Sequence, residues 1–142
     1  MIRRCTESDL DAVMAIWLES NVDAHGFIPA EYWEGNFPAV RAMLPEAEVF
    51  VYQDESSGRV CGFIGLTGGE VQGIFVEGPD RSRGIGKQLL DFVKERRDRL
   101  ALHVYQKNLR AADFYRREGF RVQESGVDED TGEKDWKMVW QR

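Results

Sequence analysis

Little in this chain points to metal, membrane or nucleic acid. Two of its 142 residues are cysteine and two are histidine. They are scattered, no pair or cluster has metal-ligand spacing, and no metal is expected. Two cysteines make no disulfide framework, so Cys5 and Cys61, both in strand-like contexts, read as buried free thiols. No apolar run approaches the ~20 residues of a membrane span. The N-terminal Met1-Ile2-Arg3-Arg4-Cys5-Thr6 lacks the apolar stretch of a signal peptide, which points to the cytoplasm. Positive charge is short as well: 19 Lys and Arg stand against 25 Asp and Glu, a net charge of −6. Duplex binding is driven by neutralising phosphates, so nucleic acid is not expected as the main partner. What remains is an ordinary globular composition, 42% hydrophobic and 31% charged, in a length suited to one domain over residues 1–142.

Periodicity orders the chain. Residues 2–6 read as a first strand, with Thr6 as a helix N-cap and the acids Glu7 and Asp9 in the first turn. Leu10, Val13, Met14, Trp17 and Leu18 recur at helical spacing and predict a helix to about Asn21. Pro29 starts a second helix, with Tyr32, Trp33, Phe37, Val40 and Leu44 on its apolar side and Pro45 as its stop. Residues 49–52 and 60–66 are strands joined by a hairpin at 54–58. Residues 71–76 form a fourth strand, followed by a helix to about Arg97. Residues 100–105 alternate as a fifth strand. The helix from Asn108 ends at Gly119 in a left-handed cap, with Phe120 folding back onto it. Residues 120–127 and 134–140 make a closing hairpin around 126–132. The order is βααβββαβαββ, without repeat or interdomain linker.

Positive charge does gather in one place, Arg81-Ser82-Arg83-Gly84-Ile85-Gly86-Lys87, between the fourth strand and the helix after it. The first-turn N–H groups of a helix and its dipole favour an anion there. Glycines at 84 and 86 let backbone approach a pyrophosphate with no Cβ in the way. A P-loop is excluded: arginine stands five places before Gly86, and Gln88 follows Lys87. A dinucleotide fingerprint is excluded by Leu89, where a third glycine or alanine belongs. The pattern Arg/Gln-x-x-Gly-x-Gly/Ala after a strand is met by Arg81, Gly84 and Gly86. Downstream, Asn108, Ala111, Phe114, Tyr115, Gly119 and Phe120 match Asn-x-x-Ala-x-x-Phe-Tyr-x-x-x-Gly-Phe. With both motifs in this order the chain resembles the GNAT N-acetyltransferase superfamily over essentially its whole length, the first third in pattern only. Two departures stand out. Proline comes one place late in Val76-Glu77-Gly78-Pro79, and Ser82 replaces a frequent glycine.

The resemblance implies an α/β (α+β) acyl-CoA N-acyltransferase fold: a mixed, mostly antiparallel sheet of about seven strands flanked by roughly four helices. It implies acetyl-CoA as co-substrate and direct attack by a primary amine in a ternary complex. The fourth and fifth strands should splay, and the pantetheine arm should pair with backbone near Phe75 and Val76. The N–H of Val76 would face the thioester oxygen. Arg81, Ser82, Arg83, Gly84, Ile85, Gly86 and Lys87 would cradle the pyrophosphate, and Asn108 would reach the pantetheine. Tyr115 is the expected general acid, since a phenol titrates near 10 and a thiol near 8.5. Ala111 and Ala112 leave room beside it, and Phe114 is assigned to the core. Glu70 leads as the base for the acceptor, with Gln72, His103 and His25 as the other candidates.

The acceptor reads as a small amine or a basic peptide end. His25, Phe27 and Tyr32, with Trp33 and Phe37, would wall its pocket. Glu124, Asp128, Glu129, Asp130, Glu133 and Asp135 would supply negative charge, unless they are only a solvated hairpin tip. The same aromatics could instead form core or a contact in a homodimer. The rival reading is a catalytically silent acyl-CoA-binding sensor or interaction module. An acetyltransferase acting on RNA is disfavoured by the acidic balance.

Overall fold

A computed structural model describes residues 1–81 and 83–142. Among the described residues are seven strands and four α-helices. They are β1 (Ile2–Arg4), α1 (Leu10–Ala24), α2 (Ala30–Met43), β2 (Glu48–Gln53), β3 (Val60–Thr67) and β4 (Glu70–Val76), then α3 (Ile85–Lys94), β5 (Arg99–Tyr105), α4 (Leu109–Arg117), β6 (Arg121–Val127) and β7 (Lys134–Gln141). The strands form one sheet in the order β1-β2-β3-β4-β5-β7-β6, antiparallel throughout except where β4 meets β5. The expected fold class holds.

The chain enters α1 through a 3₁₀ turn at Glu7–Asp9. Asp9 Oδ2 accepts the Thr6 N–H at 2.8 Å, and both its oxygens take the Arg3 guanidinium, at 2.7 and 3.0 Å. One carboxylate thus joins β1 to the start of α1. The helix runs three residues beyond the expected Asn21. Asn21 does not end it, because its Nδ2 donates back to the Trp17 carbonyl at 2.9 Å while its own carbonyl takes the His25 N–H at 3.0 Å. Helix α2 lies on α1 through edge-to-face contacts of Trp17 with Trp33 and Phe37.

The sheet separates two apolar clusters. On one face α3 and α4 cover Ile64, Leu66, Leu89, Leu90, Leu100, Leu102 and Met138, all essentially inaccessible. On the other, α1 covers Val49, Val51 and Phe63. Cys61 is buried as expected, but Cys5 lies just past β1 and is only half-buried. Gly126 belongs to β6 and faces Asp135, so the closing turn spans 128–133. Gly119 ends α4 at φ 94°, and the Phe120 N–H returns to the Tyr115 carbonyl at 2.9 Å.

The feature that makes a site is a break in pairing. Strands β4 and β5 are parallel partners only at Glu70 with Ala101 and Val71 with Leu102. Immediately beyond, the β3–β4 register slips: Leu66 faces Val71 and Gly65 faces Gly73, leaving Gln72 as an extra residue. Such a bulge bends its strand and sharpens the local twist. From Gln72 onward β4 and β5 form no further ladder pairs, and a gap is left between the two strands.

Candidate active site

Backbone alternation decides what the gap offers. The Glu77 N–H donates to the Cys61 carbonyl at 2.9 Å, which makes that pair hydrogen-bonded. Along the same register Phe75 pairs with Phe63 in the same way, whereas Val76 and Ile74 stand opposite Gly62 and Ile64 without exchanging bonds. The N–H and C=O of Ile74 and Val76 therefore point into the gap. This corrects the expectation for Phe75, whose backbone is spent on β3. Its ring lies over Gly73, where an added Cβ would sit 2.4 Å from it, and packs on Phe63 at 5.0 Å.

Past β4 the chain makes a 3₁₀ turn at Gly78–Asp80 and enters α3 through Gly84 at φ 80°. The Gln88 N–H to Gly84 carbonyl bond, 3.0 Å, is the first of the helix. The N–H groups of Ile85, Gly86 and Lys87 are thus left without helical partners at the positive end of the dipole. A Cβ on Gly86 would lie 3.7 Å from Phe114 Cζ and 3.8 Å from Ile74 Cγ2, so this glycine borders both β4 and α4. Ser82, expected in the cradle, lies outside the described residues.

The three described cations of the loop all face carboxylates. Arg81 Nε donates to the Val76 carbonyl at 3.1 Å and its Nη1 to Asp23 at 2.8 Å. Arg83 pairs with Asp80. Lys87 lies 3.1 Å from Glu118 and 3.2 Å from Asp91. The sequence showed the cations but not their partners, because Asp23 and Glu118 lie far away along the chain.

Helix α4 buries Tyr115 more deeply than Phe114, the reverse of the expected burial. Tyr115, not Phe114, is in the core at 8% exposure, edge-to-face with Phe114 and Phe120 at 5.4 and 5.5 Å. Phe114 is half-buried beside Gly86 and Ile74, along the gap. The Tyr115 hydroxyl has no hydrogen-bond partner among the described residues. Burial pushes its phenol up, so it is protonated at neutral pH.

Asn108 caps α4, its Oδ1 accepting the Ala111 N–H at 3.2 Å. This fixes the amide so that Nδ2 meets His25 Nε2 at 3.2 Å. His25 Nε2 must then accept, which places the ring proton on Nδ1. Burial lowers the His25 pKa, keeping the ring neutral. The ring stacks on Trp33 at 5.2 Å and meets Tyr105 and Phe27 edge-on at 5.1 and 5.6 Å. Tyr105, which sequence reasoning passed over, donates its hydroxyl to Asp128 at 2.5 Å and so ties the closing turn to this cluster.

A cleft of about 280 Å³ lies between the α1–α2 connection and that turn, lined by Phe27, Ile28, Pro29, Tyr32, Asp130 and Thr131. Burial, then Asp128 and Asp130, raise the Tyr32 pKa. Of the expected acids, Asp128 serves Tyr105, Glu133 pairs with Lys107 at 3.0 Å, and Asp135 lies 3.6 Å from His103. Glu70 lies 3.9 Å from His103 at the closed end of the gap. It is not brought to Val76: six residues of extended strand, roughly 20 Å, separate them. Ile74 offers a gap-facing N–H nearer that end. Among the described residues no group of three or more His, Cys, Asp or Glu could hold a metal ion, and no helix is long and apolar enough to cross a membrane.

A family model for the acetyltransferase (GNAT) domain matches residues 45–122. Peptidyl-lysine N-acetyltransferase YiaC of Escherichia coli (strain K12) is 37% identical over 142 residues, covering 99% of this chain and 96% of that protein. The chain belongs to the GNAT acetyltransferases. The peptidyl-lysine N-acetyltransferase YjaB of the same organism is 32% identical over 121 residues, 85% of this chain and 82% of that protein. The solution structure of its apo form superposes with a TM-score of 0.87 at 28% identity, covering 99% of this chain and 96% of that one. The PaiA N-acetyltransferase of Thermoplasma acidophilum, solved in complex with coenzyme A, shares the fold at a TM-score of 0.83 and 21% identity, covering 100% and 98%.

This GNAT enzyme is an acetyl-CoA-dependent N-acetyltransferase. Its residues fit that co-substrate. Among the described residues, N–H groups without helical partners stand at the start of α3, a glycine stands where a Cβ would narrow the way between Ile74 and Phe114, and backbone of β4 that β3 does not pair lines the gap.

Proposed function

We propose that residues 1–142 act as one domain that acetylates lysine side chains in basic peptide segments, by direct attack of the amine in a ternary complex. The observation that carries this reading is the cleft of Phe27, Ile28, Pro29 and Tyr32 with Asp130 at its rim. Aromatic faces and a carboxylate suit a cationic side chain flanking the acceptor lysine, by cation–π attraction and charge together. The relatives YiaC and YjaB, which are named peptidyl-lysine N-acetyltransferases, agree with it. The rival reading as a silent acyl-CoA module has no observation in its favour.

Acetyl-CoA supplies an activated acyl group as a thioester. The N–H groups of Ile85, Gly86 and Lys87 bind its pyrophosphate, and gap-facing backbone of Ile74 and Val76 orients the arm and donates to the carbonyl oxygen. Glu70, with His103 beside it, takes the proton of the acceptor ammonium at the closed end of the gap, nearer to Ile74 than to Val76. Tyr115 holds a proton for the sulfur. Asn108, occupied by the α4 cap and by His25, orients the acceptor corner rather than the pantetheine.

Steady-state acetylation of paired lysine peptides, flanked by arginine or by glutamate, tests the acceptor. The arginine-flanked peptide should show the lower KM, and the gap should shrink as salt rises. Asp130→Asn should raise that KM about two- to five-fold with little change in kcat. Equal KM values for wild type and variant, or preference for the glutamate-flanked peptide, would exclude this acceptor site.

A further inference from the structure

Arg81 matches the arginine of the phosphate pattern, yet its guanidinium is engaged on the other side of the loop. Nε donates to the Val76 carbonyl at 3.1 Å, and Nη1 meets Asp23 Oδ2 at 2.8 Å. The Val76 carbonyl is one of the backbone groups that β4 turns into the gap, since the Glu77–Cys61 bond assigns the alternate residues to β3. Arg81 thus lies at the unpaired end of the gap and takes the acceptor that a pantetheine amide would use. Arg83 is paired within its own turn with Asp80, and Lys87 with Asp91 on α3 and Glu118 beyond α4. Arg81 alone is held from the α1 side, by a residue of that helix's last turn 58 positions earlier.

We propose that Asp23 is a positioning residue for acetyl-CoA binding: it holds Arg81 closed over the gap until a pyrophosphate replaces its carboxylate. The exchange gives Nη1 phosphate oxygens in place of carboxylate oxygens, and it draws Nε off the Val76 carbonyl, which a pantetheine amide then takes. The Arg81 side chain is 26% exposed and that of Asp23 is 63% exposed, so the pair is water-screened and weak enough to be displaced. The proposal rests on the reading of Arg81 and residues 83–87 as the acetyl-CoA loop. It gives Asp23 a sign opposite to that of an ordinary binding residue, because removing its charge helps the ligand.

Calorimetric titration with coenzyme A tests this on the whole chain. Asp23→Asn should tighten binding by about two- to five-fold, the range of an exposed ion pair. Asp23→Glu should restore wild-type affinity, and Arg81→Ala should weaken binding. In an Arg81→Ala background, Asp23→Asn should change nothing. Loosening of α1 by the substitution would weaken binding, so tightening is not a structural side effect. A folded Asp23→Asn that binds equally or more weakly overturns the proposal, as does a gain that persists without Arg81. A wild type that does not bind coenzyme A overturns the loop reading and this proposal together.

Discussion

Gly84 and Gly86 stand two positions apart and are glycine for different reasons. Gly84 adopts φ 80° with nothing within 4 Å of where a Cβ would be, so the requirement is conformational. Gly84→Ala should cost about 1–2 kcal/mol in chemical denaturation, the penalty of a left-handed L-residue. Gly86 is inside α3, and its Cβ would meet Phe114 and Ile74 at ordinary contact distance. Gly86→Ala should leave stability equal or raise it by up to about 1 kcal/mol, since alanine is the better helix former. It should nonetheless weaken coenzyme A binding, because the new methyl stands where the gap narrows. Wild-type affinity in a well-folded Gly86→Ala would show that the glycine serves no ligand. The three loop cations carry less weight than their number suggests, each already having a carboxylate partner.

Elements in this molecule are joined by a few polar side chains, and Asp9 is the clearest case. It is 7% exposed and receives the Arg3 guanidinium and the Thr6 N–H where β1 hands over to α1. Arg3 first, then Thr6, against the cost of burial, lower its pKa from 3.8 to about 2. A carboxylate depressed on folding stabilises the protein above its unfolded pKa, and that contribution fades as pH falls from about 4 toward 2. Asp9→Asn should therefore cost about 2 kcal/mol at pH 7 in urea unfolding and approach wild type near pH 2. A difference independent of pH would assign the loss to packing rather than to charge. The bulge at Gln72 works at the same scale, ending the β4–β5 ladder after two pairs and creating the gap by omission of hydrogen bonds.

Across the whole molecule, what could be read from sequence was what is local. Helical and strand periods, Pro29 ahead of α2, Gly119 after α4 and the turn at Gly84 all act within a few residues, and the element order came out as expected. The two motifs were legible because the chain itself carries their spacing. The gap was foreseen only through the family resemblance, since a bulge depends on the partner strand. Neighbours i and i+1 on a helix differ by a rotation that composition does not fix, so the core was expected at Phe114 where Tyr115 is the more deeply buried. Asn21 looked like a terminus because nothing local announces that its side chain turns back to Trp17. The pairs Arg81–Asp23 and His25–Asn108, 58 and 83 residues apart, left no trace in sequence. Those long-range pairs tie the entry loop of α3 to the end of α1, and the α1–α2 connection to the start of α4.

The central claim is that this site moves an acetyl group to lysine with Tyr115 as the acid. It is tested most directly by turnover of acetyl-CoA on a lysine peptide, with coenzyme A affinity measured alongside, for wild type and Tyr115→Phe. The Tyr115 hydroxyl has no hydrogen-bond partner among the described residues, so phenylalanine should fit the same space. The account predicts a kcat lower by about 10²- to 10⁴-fold with coenzyme A affinity unchanged. Equal turnover by the two proteins on the same peptide would contradict it.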